Sequence, residues 1–335
     1  MAKHSHRARI AFAAEPVFDA VAAIAQKNQF AVERGDARLR IDAPLGEVVF
    51  LAGKGTTDVS FTTDTPAELQ LLIDLYAQRF QALGLDAGMA WENVDGTVPL
   101  NQIRAVVSAS ERISPNFARI RLEGDFSTFA KPNAGLHFRF LFGPKDAPLP
   151  YLDDGGLTVW PVDVKAWHRP PYTVRRIAKD ASWIDVDIVL HRGGRVTDWF
   201  ADLELGTEIG LNGPSGSKLP AATSMLLFGD ETALPVVLRI IEDAKAAAKV
   251  RAIIAVRNPA DAQKIEATAS VDASWVDMTN ISVLLDAARD LLPGTTAEHV
   301  FFAAERAQAS KARELFKEHG IGSDRAKAAS YWTRS

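Results

Sequence analysis

Residues Phe228 to Pro235 read F-G-D-E-T-A-L-P, between an apolar run, Met225 to Phe228, and an amphipathic run, Val236 to Ala248. A strand, a tight turn with one glycine and two acids, and a helix opened by proline shape a backbone to meet a nucleotide. The turn lacks the full G-x-G-x-x-G spacing, so alone it is a weak fingerprint. Gly229, Asp230, Glu231 and Thr232 lie at the carboxyl end of the strand, where open α/β sheets bind ligands. Two acids are odd in a phosphate cradle; they suit a nicotinamide, a ribose or the amides of a helix N-terminus. A second group is basic: Arg139, Arg175, Arg176, Arg192 and Arg195 give one stretch a local surplus of arginine, although the chain's net charge is −4. A third is His191 to Trp199, H-R-G-G-R-V-T-D-W, where glycines let the backbone approach a phosphate or a ring closely.

These residues need elements to hold them, and the 335-residue chain is long enough for two or three domains. Three blocks emerge: 1–98, 99–220 and 221–335. In the first, Ala8 to Phe12 reads as a strand. Pro16 to Lys27 carries Val17, Val21, Ile24 and Ala25 on one helical face, and Pro16 suits a first turn. Ala31 to Glu33, Ala37 to Ile41, Glu47 to Leu51 and Thr57 to Thr62 are strand candidates. A helix starting at Thr65–Pro66 buries Leu69, Leu72, Ile73, Tyr76 and Phe80. This is a small α+β domain, followed by a linker at Asp95 to Pro99.

The middle block is rich in short strands: Ile103 to Ser110, Phe117 to Glu123, His137 to Phe142, Tyr172 to Ile177 and Ile184 to His191. Ile184, Val186, Ile188 and Leu190 alternate with Asp185 and Asp187, the pattern of a half-exposed antiparallel strand. Such a set of strands predicts a barrel. In the last block, Met225–Phe228, Ala252–Val256, Trp275–Asp277 and Val300–Ala303 alternate with helical stretches, which predicts a doubly wound parallel sheet.

Composition excludes several function classes. There are no cysteines, so disulfides, thiolate metal sites and cysteine nucleophiles are excluded, and a reducing cytoplasm fits. The net charge argues against coating nucleic acid or an anionic membrane. The apolar segment after the basic start is broken by Glu15, Pro16 and Asp19, so no secretory signal is expected, and no apolar run approaches the ~20 residues of a membrane span. His4 and His6 form an H-x-H that reads as a frayed, solvated terminus rather than a metal site.

Four segments together resemble the siderophore-interacting protein family of ferric-siderophore reductases. They are R-P-P-Y-T-V-R-R (Arg169 to Arg176); the His191 to Trp199 run with L-N-G-P-S-G-S (Leu211 to Ser217); G-D-E-T-A-L-P (Gly229 to Pro235); and F-A-A-E-R-A (Phe302 to Ala307) with the terminal Tyr331–Trp332 pair. The resemblance covers residues 100–335 and implies a flavin-binding barrel followed by a nicotinamide-dinucleotide-type domain, as in the ferredoxin-reductase superfamily. The first block looks like a small domain of unknown role fused ahead of such reductases.

The resemblance further implies FAD as cofactor, NADH, NADPH or reduced ferredoxin as electron donor, and a ferric siderophore as substrate, reduced to Fe(II) in the cytoplasm. By the same route Arg169, Tyr172, Thr173, Val174, Arg175, His191, Gly193, Val196 and Thr197 are FAD contacts. Gly229, Asp230, Glu231, Thr232, Glu305 and Trp332 are nicotinamide-nucleotide contacts, and Arg139, Arg176, Arg192 and Arg195 a substrate patch. No protein metal ligand or catalytic acid or base is implied. The chain departs from the family at Pro170, where the family has its arginine; at Arg192, which intervenes before Gly193; and at Ala304, where the family has glycine. Tyr172 is open to a second reading as a core strand residue, and Thr197 as an N-cap. Trp332 reads either as an anchor for the C-terminal tail or as a ring cover. Two other functions stay open: a flavin oxidoreductase serving a protein partner, and a siderophore-binding protein that has lost its flavin site.

Overall fold

The computed structural model describes residues 3–280 and 282–334. The chain begins with β1 (His4–Ile10), α1 (Ala14–Lys27), β2 (Ala31–Arg34), β3 (Arg38–Ala43), β4 (Gly46–Ala52), β5 (Thr57–Thr63), α2 (Pro66–Ala82) and β6 (Ala90–Trp91). The strands form an antiparallel sheet in the order β2-β3-β4-β5-β1-β6. Alternation along the strands sends Ile10, Ile41, Phe50 and Phe61 to one face, where Phe18 and Val21 of α1 and Leu72, Tyr76 and Phe80 of α2 cover them. Thr65 caps α2 by accepting from Glu68 N at 3.2 Å, and Pro66 occupies the first turn. The expectation of a frayed N-terminus is overturned. His4 already pairs with Thr63, and the buried His6 donates from Nε2 to Gly155 O at 3.0 Å and stacks on Trp91.

The middle of the chain contains β7 (Gln102–Ser114), β8 (Phe117–Gly124), β9 (His137–Leu141), the hairpin β10 (Tyr151–Leu152) and β11 (Thr158–Val159), β12 (Pro171–Thr173), β13 (Arg176–Ile177), β14 (Trp183–Val189), α3 (Arg195–Ala201) and β15 (Glu208–Ser215). Seven of these strands make the antiparallel barrel sheet, in the order β12-β9-β15-β7-β8-β14-β13. The single strand expected over Tyr172 to Ile177 is two. Val174 N donates to Leu136 O and Arg175 N to Asp185 O, so the chain changes partners between β12 and β13. The half-exposed face expected for β14 is also corrected. Asp185 and Asp187 are buried, and register sets them opposite Arg121 and Arg119 of β8. Each carboxylate takes two bonds from its arginine, at 2.8 and 3.0 Å and at 2.6 and 2.9 Å.

The last part runs β16 (Ser224–Gly229), α4 (Leu234–Glu242), β17 (Lys249–Val256), β18 (Ser270–Asp277), α5 (Val283–Leu291), β19 (His299–Glu305), α6 (Arg306–Glu318) and β20 (Ala326–Trp332). The parallel order is β18-β17-β16-β19-β20. Met225 and Leu227 pack with Val237 and Ile240 of α4, while Leu226 and Phe228 pack on the α5 and α6 side, so both faces are covered as in a doubly wound sheet. Helix α4 stops at Glu242 rather than running to Ala248, because beyond Ile241 only Ala244 and Ala248 remain to hold another turn to the sheet. None of the described helices is long and apolar enough to cross a membrane.

Packing divides the chain into two compact units. One comprises Met1–Ile103, Leu141–Arg169 and Gly210–Gly213; the other Arg104–Phe140, Pro170–Ile209 and Pro214–Ser335. Within the second, the fully buried Asp261 ties the β7–β8 turn to the segment after β17. It accepts from Ser114 Oγ at 2.6 Å, Asn116 Nδ2 at 2.7 Å and Asn116 N at 2.9 Å. Asp261→Ala strands all three donors. It should cost about 2–4 kcal/mol, read as a lower urea midpoint at unchanged slope.

Candidate active site

The second unit carries a cleft of about 890 Å³. One wall comes from Pro170, Pro171, Tyr172 and Thr173 of the β12 run, with His137, Val189, His191, Gly216 and Ser217. The opposite wall comes from Glu231, Thr232 and Pro235 after β16, Arg257, Met278 and Thr279 after β17 and β18, and Lys327 to Arg334 of β20 and the tail. Two regions far apart in sequence, the Arg169 to Arg176 motif and the Gly229 to Pro235 turn, therefore face a common space.

On the barrel wall, Tyr172 lies edge-on to Phe140, ring centroids 5.0 Å apart, and burial pushes its phenol well above the usual range. Thr173 is buried and pairs with His137. His191 opens the glycine turn, and its N–H donates to Thr197 Oγ1 at 3.1 Å. Gly193 has φ +74, and Gly194 lies so close under the His191 ring that a Cβ there would come within 2.7 Å of it. The first bond of α3 is Asp198 N to Gly194 O, so the amides of Arg195, Val196 and Thr197 precede the helical ladder. Val174 and Arg175 turn away from the cleft: Val174 is core, and the buried Arg175 guanidinium is bound to both Glu242 oxygens at 2.6 and 2.7 Å. Arg169 falls in the first unit, 4.9 Å above the Trp160 ring. Arg139, Arg192 and Arg195 are exposed; Arg176 lies 3.9 Å from Glu242 and 3.8 Å from Glu266.

On the α/β wall the two acids have separate tasks. Glu231 is gripped by Arg257 through bonds of 2.6 and 2.8 Å, which cancels its charge at the cleft. Asp230 is buried behind the wall. Its Oδ1 accepts from Thr232 N at 2.9 Å, Thr232 Oγ1 at 2.6 Å and Ala233 N at 3.3 Å, and its Oδ2 from Trp332 Nε1 at 2.7 Å. Burial raises its pKa, opposed by those same bonds. Trp332 is thus fixed in the cleft by an indole–carboxylate bond. Gly229 is needed for packing, since a Cβ there would meet Val237 of α4 at 2.7 Å. Glu305 caps α6 by accepting from Ala307 N at 2.6 Å and Gln308 N at 3.3 Å, and neither it nor the buried Ala304 is part of the cleft wall.

Several wall residues went unread in the sequence. The main ones are His137 and Lys327, which meet the motif residue Tyr331 at the cleft: His137 Nε2 and Tyr331 Oη are 2.8 Å apart. Gly216, with φ +78, backs the His137 ring. Burial first, and the Lys327 charge second, push His137 down to about 4, so the ring is neutral at ordinary pH. A basic residue beside the terminal aromatic pair was the available signal.

A barrel sheet followed by a parallel α/β sheet, with a cleft lined by the Tyr172–Thr173 strand and the Glu231–Thr232 turn, is a ferredoxin-reductase-like fold. Residues 106–218 match the siderophore-interacting FAD-binding domain, and residues 222–335 match the siderophore-interacting protein domain. The chain belongs to the siderophore-interacting protein family. It is similar to a siderophore utilization protein from T. fusca (TM-score 0.61, 26% identity, 73% of this chain and 97% of that one). It shares its fold with the siderophore-interacting protein SipS from Aeromonas hydrophila (0.59, 20%, 70% and 92%) and the cytochrome P450 reductase GcoB of Amycolatopsis (0.50, 20%, 73% and 73%). An uncharacterized protein of Mycobacterium tuberculosis is 32% identical over 186 residues, 53% of this chain and 65% of that protein, so the match takes in just under two thirds of the relative.

The His137 shift has a consequence for stability. Its folded pKa lies below the unfolded value near 6.5, so between about pH 6.5 and 4 the unfolded chain binds more protons. Stability is intact above that window and falls as the pH drops through it. His137→Gln should flatten this pH dependence, measured as urea midpoints at several pH values beside wild type; an unchanged slope would show that other groups carry it.

Proposed function

We propose that this protein is an FAD-dependent ferric-siderophore reductase, which reduces chelated Fe(III) to Fe(II) in the cytoplasm with NADH, NADPH or reduced ferredoxin as donor. What carries the reading is the single cleft that unites the Tyr172–Thr173 motif with the Glu231–Thr232 turn and Trp332. Its size and its lining, in which the rings of Tyr172, Tyr331 and Trp332 stand among polar side chains, suit a flavin dinucleotide.

In this reading Tyr172 covers the isoalloxazine ring and Thr173 bonds its N5 edge. His191, the Gly193–Gly194 turn and the amides of Arg195, Val196 and Thr197 take the pyrophosphate, a role their place ahead of the α3 ladder supports. Arg175 acts at one remove, by fixing the β12–β13 junction against Glu242. When bound, FAD accepts a hydride and hands electrons singly to a one-electron acceptor. Glu231 and Thr232 present the donor side, and Trp332, held by Asp230, governs access to it. Arg192 and Arg195, exposed on either side of the glycine turn, supply positive charge for a bulky, often anionic chelate. Fe(II) binds hard oxygen ligands less tightly than Fe(III), so reduction frees it. The site needs geometry and charge, not an acid–base pair.

The test is to purify the protein, record flavin absorbance, and follow Fe(II) capture by a chromogenic chelator with each donor and ferric siderophores. Wild type is expected to carry FAD and to reduce the chelate. Bound FAD that reduces other acceptors with no preference for ferric chelates would replace this function with a general flavin oxidoreductase. Tyr172→Ala should weaken FAD binding about tenfold, ~1.4 kcal/mol, measured by titration of the apoprotein.

A further inference from the structure

We infer, resting on the reading of Glu231 and Thr232 as the donor side, that this chain takes its electrons from NADH in preference to NADPH, and that the Glu231–Arg257 pair makes the choice. Both residues, and the strands that carry them, belong to the second unit.

In a doubly wound sheet, a side chain beyond the strand that follows the glycine turn reads the 2′ position of the donor's adenosine ribose. An acid there bonds the hydroxyl of NADH, and an arginine there accommodates the phosphate of NADPH. Here the turn follows β16, the next strand is β17, and the residue directly after it is Arg257, half-exposed at the cleft. Taken alone, Arg257 would select the phosphate. It does not stand alone. Its Nε donates to Glu231 Oε2 at 2.8 Å and its Nη2 lies 2.6 Å from Oε1, so a carboxylate fills one edge of the guanidinium. The Glu231 side chain is only 5% exposed, and its charge would be left buried and unpaired if Arg257 moved to a phosphate. The arginine is therefore held, and its charge is cancelled where a 2′ substituent would meet it.

The neighbouring strand adds an anion. Val256 pairs with Asp277 of β18, so that acid stands one residue from Arg257 across the ladder. Asp277 is exposed and accepts from Thr279 N and Thr279 Oγ1, both at 2.8 Å. Asn258 spends its Oδ1 on Ala260 N at 3.0 Å, capping the short turn after β17. The exposed Arg306 and Arg334 follow β19 and β20, on the other side of β16. A dianionic phosphate at the β17 end thus meets an arginine already neutralised and a second carboxylate. A hydroxyl meets a different surface. Arg257 Nη1 makes no hydrogen bond among the described residues, and its N–H groups are still on offer to a neutral oxygen. Glu231 is in this way the specificity-determining residue. It removes the attraction for a phosphate and leaves donors for a hydroxyl, and discrimination is the difference between the two.

The experiment uses the full chain loaded with FAD, and two fragments that carry the ribose but no nicotinamide: ADP-ribose and its 2′-phosphate. Calorimetry gives their Kd values, beside KM for NADH and NADPH. Wild type should bind the unphosphorylated fragment about tenfold more tightly. Glu231→Gln uncovers the Arg257 charge and should strengthen binding of the 2′-phosphorylated fragment about fivefold, a gain that shrinks with added salt. Adding Arg257→Gln to that variant should abolish the gain. Asp277→Asn, at an exposed site where no buried charge is left unpaired, should shift the ratio the same way by about twofold. A wild type that binds neither fragment, or binds the phosphorylated one as tightly as the other, overturns the inference. So does a ratio that neither Glu231→Gln nor Asp277→Asn moves. FAD content and Fe(II) capture are read separately: a wild type that lacks both overturns the reductase reading and this inference with it.

Discussion

The second unit depends on one bidentate ion pair. Arg175 lies just past the β12 motif strand, and Glu242 ends the helix that the Gly229 to Pro235 turn begins. Their two parallel bonds hold the barrel edge to the helix behind the opposite wall. Arg239, one turn earlier on that helix, donates to Val174 O at 3.2 Å, and Asp187 lies 3.7 Å from the Arg175 Nε. Burying these charges brings little net stability, because desolvation offsets the attraction. What the pair supplies is register: an apolar contact of equal area could slide, whereas a guanidinium bound to two oxygens admits a single arrangement.

The cleft inherits its electrostatics from similar pairings. Glu231 is cancelled by Arg257, Asp230 is buried on Trp332 and Thr232, and His137 is held neutral by its surroundings. Burial also keeps the phenols of Tyr172 and Tyr331 protonated. Fixed dipoles and paired ions need not reorganise when charge moves near them. Such a wall offers a bound group fixed position and fixed potential.

Much of the architecture could be read from the chain because periodicity reports burial. The β5 alternation, the α2 stripe with its Thr65 cap and the apolar β16, β17 and β19 runs all mark faces of a core. What periodicity could not report was pairing at a distance. Asp185 and Asp187 look solvated along β14; only the register opposite Arg121 and Arg119 shows that they are buried. The break between Thr173 and Arg176 is set by partners in other strands, and β20, rich in alanine, gives no strong strand signal of its own. The site shows the same division. Tyr172, Thr173, His191, Glu231, Thr232 and Trp332 stand in motifs and line the cleft, while His137 and Lys327 stand in none and are brought there by the fold. Some motif residues also carry structural tasks that their motifs do not report: Glu305 caps a helix, Gly229 makes room for Val237, and Arg175 braces the frame.

The charge that an approaching molecule meets must therefore come from outside the cancelled wall. With Glu231 and Arg257 mutually satisfied, the uncommitted positive character belongs to exposed residues: Lys327 on the rim, and Arg192 and Arg195 at the glycine turn. Exposed cations act over about a Debye length and discriminate by charge more than by shape. A surface of this kind favours anions of differing size over cations.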